Sequence, residues 1–159
     1  MKVKNLMSHD VFACGVEDTL AHAAQVMWEH DCGAVPVVDG DSQVVAMVTD
    51  RDLCMAAYTQ GKRLGDIPLR SAMSRQLRAC HEDDDVAAAE ELMRRNQVRR
   101  LPVTAKGGRL VGIISLNDLA REAARKGGKL DRAEVVETLA AISQPHARVI
   151  RPQPVAAHA

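Results

Sequence analysis

Two short apolar runs, residues 35–38 and 44–48, dominate the pattern of the first third of the chain. The turn-forming pair Gly40-Asp41 lies between them, so this stretch predicts a hairpin of two buried strands. The mostly apolar residues 11–16 predict a further short strand upstream.

A helical pattern precedes and follows this hairpin. Residues 20–28 place apolar side chains on one face, with Asp18 as the expected N-cap and Gly33 as the expected end of the helix. A second helix is expected to begin at Thr49 and to run towards Tyr58. The pattern therefore predicts a unit of turn, strand, helix, strand, strand and helix.

The whole unit occurs twice, at a constant separation of 66 positions, so that Pro36 corresponds to Pro102 and Asp52 to Asp118. Such a repeat indicates one structural unit in two copies, which bury their sheets against each other with pseudo-twofold symmetry. The predicted fold class is α+β, with two β-α-β-β-α repeats and one further helix. In the second copy the expected elements are a strand at 77–80, a helix capped by Asp84 or Asp85, a hairpin of 98–103 and 110–114, and a helix from Ser115.

The expected organisation is repeat 1 at residues 1–62, repeat 2 at 63–125, and a C-terminal helix and flexible tail within 126–159. An apolar stripe follows Asp131 and ends before Pro145, which predicts the helix, and the residues beyond it predict the tail. This helix is interpreted either as a lid or dimer contact, or as a docking helix for a protein partner.

Composition argues against several functional classes. The chain carries 21 Lys+Arg and 21 Asp+Glu, and 2% of its residues are aromatic, so neither a basic field nor a base-stacking platform for nucleic acid is expected. Its apolar runs are far shorter than the ~20 residues that cross a bilayer, and the N-terminus lacks a signal-peptide pattern. The four cysteines form no C-x-x-C pair, which is typical of reduced thiols. We expect a cytoplasmic protein that binds neither nucleic acid nor membrane.

The repeated motifs resemble a known family. Residues 48–53 (VTDRDL) and 112–119 (GIISLNDL), with the Pro-Val pairs at 36–37 and 102–103, are similar to the cystathionine-β-synthase-type (CBS) domain. The two copies together resemble a tandem CBS pair, or Bateman module, of the stand-alone bacterial kind. The resemblance implies two clefts between the repeats that hold adenosine-containing ligands such as AMP, ADP, ATP or S-adenosylmethionine without covalent attachment. It also implies assembly into a homodimer through the helices.

Thr49 and Ser115, each followed three positions later by Asp52 or Asp118, suit a nucleotide at a strand-to-helix junction. Backbone N–H groups at a helix start favour a phosphate, and the hydroxyl adds a hydrogen bond. The aspartate, one turn on, can accept from both ribose hydroxyls, and the resemblance implies these same roles. Ordinary helix capping is the alternative interpretation.

The resemblance also implies a slot for the base. Its residues, carried over by position, are Val11, Phe12, Cys32, Ala34 and Met47 in one set, and Leu77, Arg78, Val98, Arg100 and Ile113 in the other. Each cleft is expected to take its base wall from one repeat and its aspartate from the other. Plain core packing is the alternative for the apolar members.

Charge and departures from the family pattern predict unequal clefts. Arg51, Arg99 and Arg100 are suited to the phosphates of a di- or triphosphate, with a solvated charged face as the alternative. Ala46 stands where the family usually has glycine, which crowds close backbone approach, and Asn117 replaces the basic residue at the equivalent position. The Ser115 and Asp118 site is the one expected to be occupied.

A metal or redox site is a second possibility. Cys14 and Cys80 are equivalent by the repeat, and strands that meet across the twofold are expected to bring them together with His81, with His22 and His9 nearby in sequence. Buried structural cysteines are the alternative.

Three functional classes follow from these motifs. The sequence contains no recognisable catalytic constellation, so enzyme activity is not expected. The main hypothesis is a regulatory module that senses adenine nucleotides and passes its state to an unknown protein partner. Its rival is an interaction or oligomerisation scaffold with vestigial clefts.

Overall fold

The computed structural model describes residues 1–145 and has the α+β class predicted from the sequence. Its strands are β1 (Cys14–Gly15), β2 (Ala34–Val38), β3 (Val44–Thr49), β4 (Cys80–His81), β5 (Arg100–Thr104) and β6 (Leu110–Ser115). Its helices are α1 (Leu20–Glu29), α2 (Asp50–Gln60), α3 (Val86–Asn96), α4 (Leu116–Ala124) and α5 (Arg132–Ile142). None of these helices is long and apolar enough to cross a membrane.

The two repeats form separate sheets with the same topology. The order is β1-β2-β3 in one and β4-β5-β6 in the other, with the first pair parallel and the second antiparallel. Pro36 pairs with Met47, and Pro102 pairs with Ile113 in the equivalent register. Residues 66 positions apart in the sequence therefore hold equivalent places in the two sheets.

The same prolines explain why the strands expected at 11–16 and 77–80 are only two residues long. Pairing of β1 with β2 begins at Val37, and pairing of β4 with β5 begins at Val103, each one residue beyond a proline. Because proline has no N–H to donate, the ladder cannot extend further towards the N-terminus. The residues just before β1 and β4 thus lie outside the sheets.

The expected cap of α1 is also wrong by one residue. Thr19 is the N-cap, and its hydroxyl oxygen accepts from the N–H of His22 at 3.4 Å. Asp18 instead accepts from the N–H of Gly15 at 2.7 Å and closes the turn between β1 and α1. In repeat 2, Asp85 precedes α3 without a side-chain cap bond. The predicted strand at 98–103 begins two residues later, at Arg100.

The N-terminal segment of each repeat packs on the other repeat. The N–H of Val3 donates to the carbonyl of Asp84, and the N–H of Ser8 donates to that of Ile113, both at 2.9 Å. Equivalent bonds run in the opposite direction, from Leu69 to Asp18 at 2.9 Å and from Ser74 to Met47 at 2.8 Å. The two repeats are therefore interlocked by an exchange of segments.

This exchange also completes both hydrophobic cores. Val3 and Met7 are buried in the core of repeat 2, whereas Ile67 and Leu69 are buried in the core of repeat 1. Burial of one such side chain contributes about 1.5–3 kcal/mol to stability. Each core thus depends on residues from the N-terminal segment of the other repeat.

Helix α5 packs across α3 and α4 of repeat 2, the position of a lid. Val135 and Ile142 enter the core of that repeat, and Arg94 donates from Nη1 to the Thr138 hydroxyl at 3.0 Å. Asp131 caps the helix by accepting from the N–H of Ala133. The tail predicted after Pro145 lies outside the described residues.

Ala46 and Gly112 produce the main difference between the two exchanged contacts. At Gly112, the backbones of Ser8 and Ile113 bond reciprocally, at 2.9 and 3.0 Å. At Ala46, the N–H of Met47 donates instead to the Ser74 hydroxyl at 3.0 Å. A methyl group at Gly112 would lie 3.0 Å from the Ser8 carbonyl oxygen and 2.5 Å from the sulfur of Met7. The expected crowding at Ala46 agrees with the loss of one backbone bond in repeat 1.

We predict that Gly112→Ala lowers the free energy of unfolding by about 1–3 kcal/mol, because the added methyl group overpacks the exchanged segment. Gly40→Ala is the matched control, since no atom lies within 4 Å of its new methyl group. Urea denaturation measures both variants. Equal free energies of unfolding for the two variants would show that the close approach at Gly112 contributes nothing.

Candidate functional site

Two clefts lie between the repeats, one at the start of α4 and one at the start of α2. The first, which we call the Ser115 cleft, is a cavity of about 470 Å³. The second, which we call the Thr49 cleft, is a cavity of about 540 Å³. Both volumes fall in the range of small-molecule sites in proteins.

Most residues predicted for the site line one of these clefts. Those in the Ser115 cleft are Val11, Phe12, Cys32, Ala34, Arg100, Ile113, Ser115 and Asp118. Those in the Thr49 cleft are Ala34, Met47, Thr49, Arg51, Arg78, Val98, Arg99 and Arg100. Leu77 and Asp52 line neither cleft.

The grouping follows the expected cross-pairing only in part, because Met47 lines the Thr49 cleft and Ile113 lines the Ser115 cleft, each in the same repeat as the helix start of that cleft. In the Ser115 cleft, Phe12 and Cys32 of repeat 1 face the start of α4 in repeat 2. In the Thr49 cleft, Arg78 and Val98 of repeat 2 face the start of α2 in repeat 1. The exchange of segments contributes to this arrangement, because Ser8 and Ser74, which bond to the sheet of the other repeat, also line the cleft at the helix start of that repeat.

Both helix starts form complete capping boxes. The Thr49 hydroxyl oxygen accepts from the N–H of Asp52 at 3.2 Å, and the Asp52 carboxylate accepts from the N–H and hydroxyl of Thr49 at 2.9 and 2.7 Å. Ser115 and Asp118 repeat this pattern. The capping interpretation is therefore correct for the described chain, and a ligand at either hydroxyl must compete with its aspartate.

Asp118 is more constrained than Asp52. Its side chain is 5% exposed, and its second carboxylate oxygen accepts from the guanidinium of Arg121. Sequence reasoning missed Arg121, although a spacing of three residues on a helix signals such a pair. The Asp118 carboxylate is thus satisfied on both oxygens, which disfavours its use as an acceptor for ribose.

The two clefts differ in charge. The Thr49 cleft is lined by Arg51, Arg78, Arg99 and Arg100 against one carboxylate, Asp50. The Ser115 cleft is lined by Asp10, Asp31 and Asp118 against Arg100 and Arg121. Since arginine matches the geometry and charge of phosphate, the Thr49 cleft is the better site for a polyphosphate. This charge distribution argues against the expectation that favoured the Ser115 site.

An aromatic stack occupies part of the Ser115 cleft. Phe12 lies parallel to His30, with the ring centroids 3.3 Å apart and an interplanar angle of 5°. The equivalent position in the Thr49 cleft is Arg78, whose guanidinium bonds to Asn96 and Gln76. The sequence predicted Phe12 and Arg78 for this wall but gave no signal for His30.

The structure contradicts the predicted meeting of Cys14 and Cys80. The two residues lie in different sheets and in different hydrophobic cores, so they do not form a metal or redox site with His81. Burial raises the pKa of the Cys14 thiol to about 11 and that of the Cys80 thiol to about 12. Cys14 is buried in the hydrophobic core of repeat 1, and Cys80 is buried in that of repeat 2.

Comparison with known proteins identifies the family. The model of the CBS domain matches residues 3–58 and 64–125, which is most of the chain. The chain belongs to the CBS domain family. Its repeats are therefore a tandem CBS pair.

Relatives of this CBS pair include small proteins that it matches over most of their length. It is 33% identical over 147 residues to hypoxic response protein 1 of Mycobacterium tuberculosis, covering 91% of this chain and 95% of that one. It is 36% identical over 118 residues to the CBS domain-containing protein YhcV of Bacillus subtilis, covering 74% and 82%.

Two solved structures share the fold of this CBS pair. One is Hypoxic Response Protein I with two coordinated zinc ions, at a TM-score of 0.70 and 30% identity, covering 76% of this chain and 98% of that one. The other is the CBS domain pair of protein MJ0100 in complex with 5-methylthioadenosine and S-adenosyl-L-methionine. It has a TM-score of 0.68 and 25% identity and covers 76% and 94%.

We predict that thiol reagents at pH about 8 modify Cys54 first, because it is exposed whereas Cys14 and Cys80 are buried. A thiol with a pKa of about 11 is only about one part in a thousand thiolate at that pH, and the thiolate is the reactive form. Mass spectrometry after alkylation of the native protein measures the order, with Cys54→Ser as the control that removes the fast site. Modification of Cys14 as rapid as that of Cys54 would contradict the burial described here.

Proposed function

We propose that this CBS pair is a regulatory module that binds an adenine nucleotide (AMP, ADP or ATP) in the Thr49 cleft. The observation that carries the proposal is the concentration of Arg51, Arg78, Arg99 and Arg100 around the start of α2. A helix start offers backbone N–H groups and a positive dipole end to a phosphate. The arginines add the charge and the planar donors that a di- or triphosphate requires.

The base has candidate contacts in the same cleft, whereas the candidate contact for the ribose, Asp52, does not line the cleft and is bonded to its lining residue Thr49. Met47, Val98 and Ala34 supply apolar wall for a planar base. Asp52, within the capping box of α2, is the proposed acceptor for the ribose hydroxyls once the ligand displaces the Thr49 hydroxyl. This exchange replaces one hydrogen bond of the carboxylate with another and therefore costs little.

A solved relative supports an adenosine-containing ligand, but it does not indicate whether the ligand of this chain carries phosphates. The MJ0100 pair binds 5-methylthioadenosine and S-adenosyl-L-methionine, neither of which carries a phosphate. The arginines of the Thr49 cleft favour an anionic member of the same class. A comparison of ATP, ADP and AMP with these two compounds therefore tests the role of the arginines directly.

Helix α5 provides a route by which an occupied cleft signals to a partner. Ile142, the last residue of α5, lines the Thr49 cleft. Gln97, at the mouth of the same cleft, donates from its amide to the carbonyls of Ala141 and Gln144 at 3.4 and 3.0 Å. We infer that a bound nucleotide changes how the end of α5 packs on repeat 2. This change couples the Thr49 cleft to the surface of α5 that a partner contacts.

We predict that Arg51→Ala weakens binding of ATP by about tenfold to a hundredfold, the usual cost of removing a charged hydrogen bond. Asn117→Ala is the matched control, because Asn117 holds the equivalent position in the Ser115 cleft and is expected to leave affinity unchanged. Isothermal titration calorimetry measures both variants against the five ligands. A loss of ATP affinity in Asn117→Ala but not in Arg51→Ala would assign the nucleotide to the Ser115 cleft. The absence of binding by any of the five ligands would favour the scaffold hypothesis.

One observation favours the scaffold role as a second candidate. Trp28 on α1 and Tyr58 on α2 are 88% and 81% exposed beside a groove between these helices. Trp28 corresponds by the repeat to Arg94, which α5 covers in repeat 2. The helical face of repeat 1 thus lacks, within residues 1–145, the cover that repeat 2 has, and we propose that a second copy of the chain supplies it.

We predict that the protein sediments as a dimer and that Trp28→Arg, which installs the residue of the second repeat, shifts it to a monomer by placing a charge in the contact. Val136→Arg on the exposed face of α5 is the control and is expected to leave the dimer intact. Sedimentation velocity distinguishes the species. A monomeric wild-type protein would exclude this contact.

A further inference from the structure

We propose that repeat 1 holds a zinc ion on Cys14, Asp18 and His22, a site separate from both clefts. One ligand atom from each residue, the sulfur, a carboxylate oxygen and an imidazole nitrogen, lies within 4.8 Å of the other two. Among the residues that the structure describes, these three form the group able to hold a metal ion.

The fold fixes the three side chains at one junction. Cys14 begins β1, Asp18 closes the following turn, and His22 lies in the first turn of α1. The Asp18 carboxylate is held by the N–H of Gly15 at 2.7 Å, and its Oδ2 lies 3.6 Å from Nε2 of His22. A tetrahedral zinc ion draws its ligand atoms closer together than the 4.8 Å limit that includes all three.

The chemistry of the donors selects the metal. Thiolate, imidazole and carboxylate are the three protein ligands of zinc, whereas calcium and magnesium prefer oxygen alone. Cys14 is buried, but the Asp18 and His22 side chains are 37% and 49% exposed, which gives the ion a path of entry and leaves room for a water as fourth ligand. Binding forms one Zn–S bond and releases the thiol proton of Cys14 to solvent.

Repeat 2 provides an internal comparison. Cys80 and Asp84 hold the equivalent positions, and Asp84 accepts from the N–H of His81 at 2.7 Å, the same length as the bond in repeat 1. The position of His22 is taken by Ala88, which is exposed on α3. The cysteine and aspartate are therefore a structural feature of both turns, and His22 is the addition that completes a ligand set in repeat 1.

Zinc alone, titrated into the full chain in competition with a chromophoric chelator, tests the site without any nucleotide. We expect one zinc per chain, and His22→Ala is expected to weaken the affinity by at least about tenfold. This variant keeps its fold, because the side chain is half-exposed and alanine favours helix. His81→Ala is the matched control and is expected to leave zinc affinity unchanged.

Two further measurements make the result specific. Cobalt(II) bound by the wild-type protein is expected to give a thiolate charge-transfer band that is lost in Cys14→Ser. Ala88→His is expected to create the equivalent site in repeat 2 and to raise the stoichiometry to two. Absence of zinc binding by the wild type, unchanged affinity in His22→Ala, or a stoichiometry of one in Ala88→His would each overturn the assignment. None of these outcomes bears on the nucleotide proposal, whose ligands are absent from the experiment.

Discussion

Each hydrophobic core of this protein is closed by the N-terminal segment of the other repeat, through Val3 and Met7 in one direction and Ile67 and Leu69 in the other. A repeat of about 60 residues buries a smaller fraction of its surface than a larger domain does and is only marginally stable alone. The exchange adds buried residues to both cores and bonds each segment to the sheet of its neighbour. The interlock also contributes to the clefts, because the exchanged segments line them at Ser8 and Ser74, each beside the helix start of the other repeat.

Symmetry of the backbone coexists with asymmetry of the side chains. The registers of the two sheets are equivalent, yet Phe12 corresponds to Arg78 and Asn117 to Arg51 across the repeat. Because of these two differences, the Thr49 cleft carries two arginines at positions where the Ser115 cleft has uncharged side chains. Helix α5 adds to the difference, since it covers the helices of repeat 2. One duplicated scaffold thus presents two clefts and two helical faces with different chemistry.

The sequence predicted the fold well because its strongest signal, the gapless repeat, is a property of the whole chain. It also predicted the two helix starts at Thr49 and Ser115, where local capping chemistry decides the structure. It overestimated the first strand of each repeat, because the effect of Pro36 on its neighbour requires knowledge of which strands pair. The exchange of segments escaped prediction, since it depends on contacts between residues about 80 positions apart, such as Val3 and Asp84.

The sequence named most of the residues that line the two clefts, but it did not predict the difference in charge between the clefts. The spacing of Asp118 and Arg121 signals their ion pair, but spacing along the chain does not reveal that four arginines converge at α2. A crystal structure of the protein soaked with ATP tests the central claim most directly. The account predicts a nucleotide in the Thr49 cleft, with its phosphates at the start of α2 beside Arg51 and Arg78. Density for ATP confined to the Ser115 cleft, or empty clefts at saturating ATP, would contradict it.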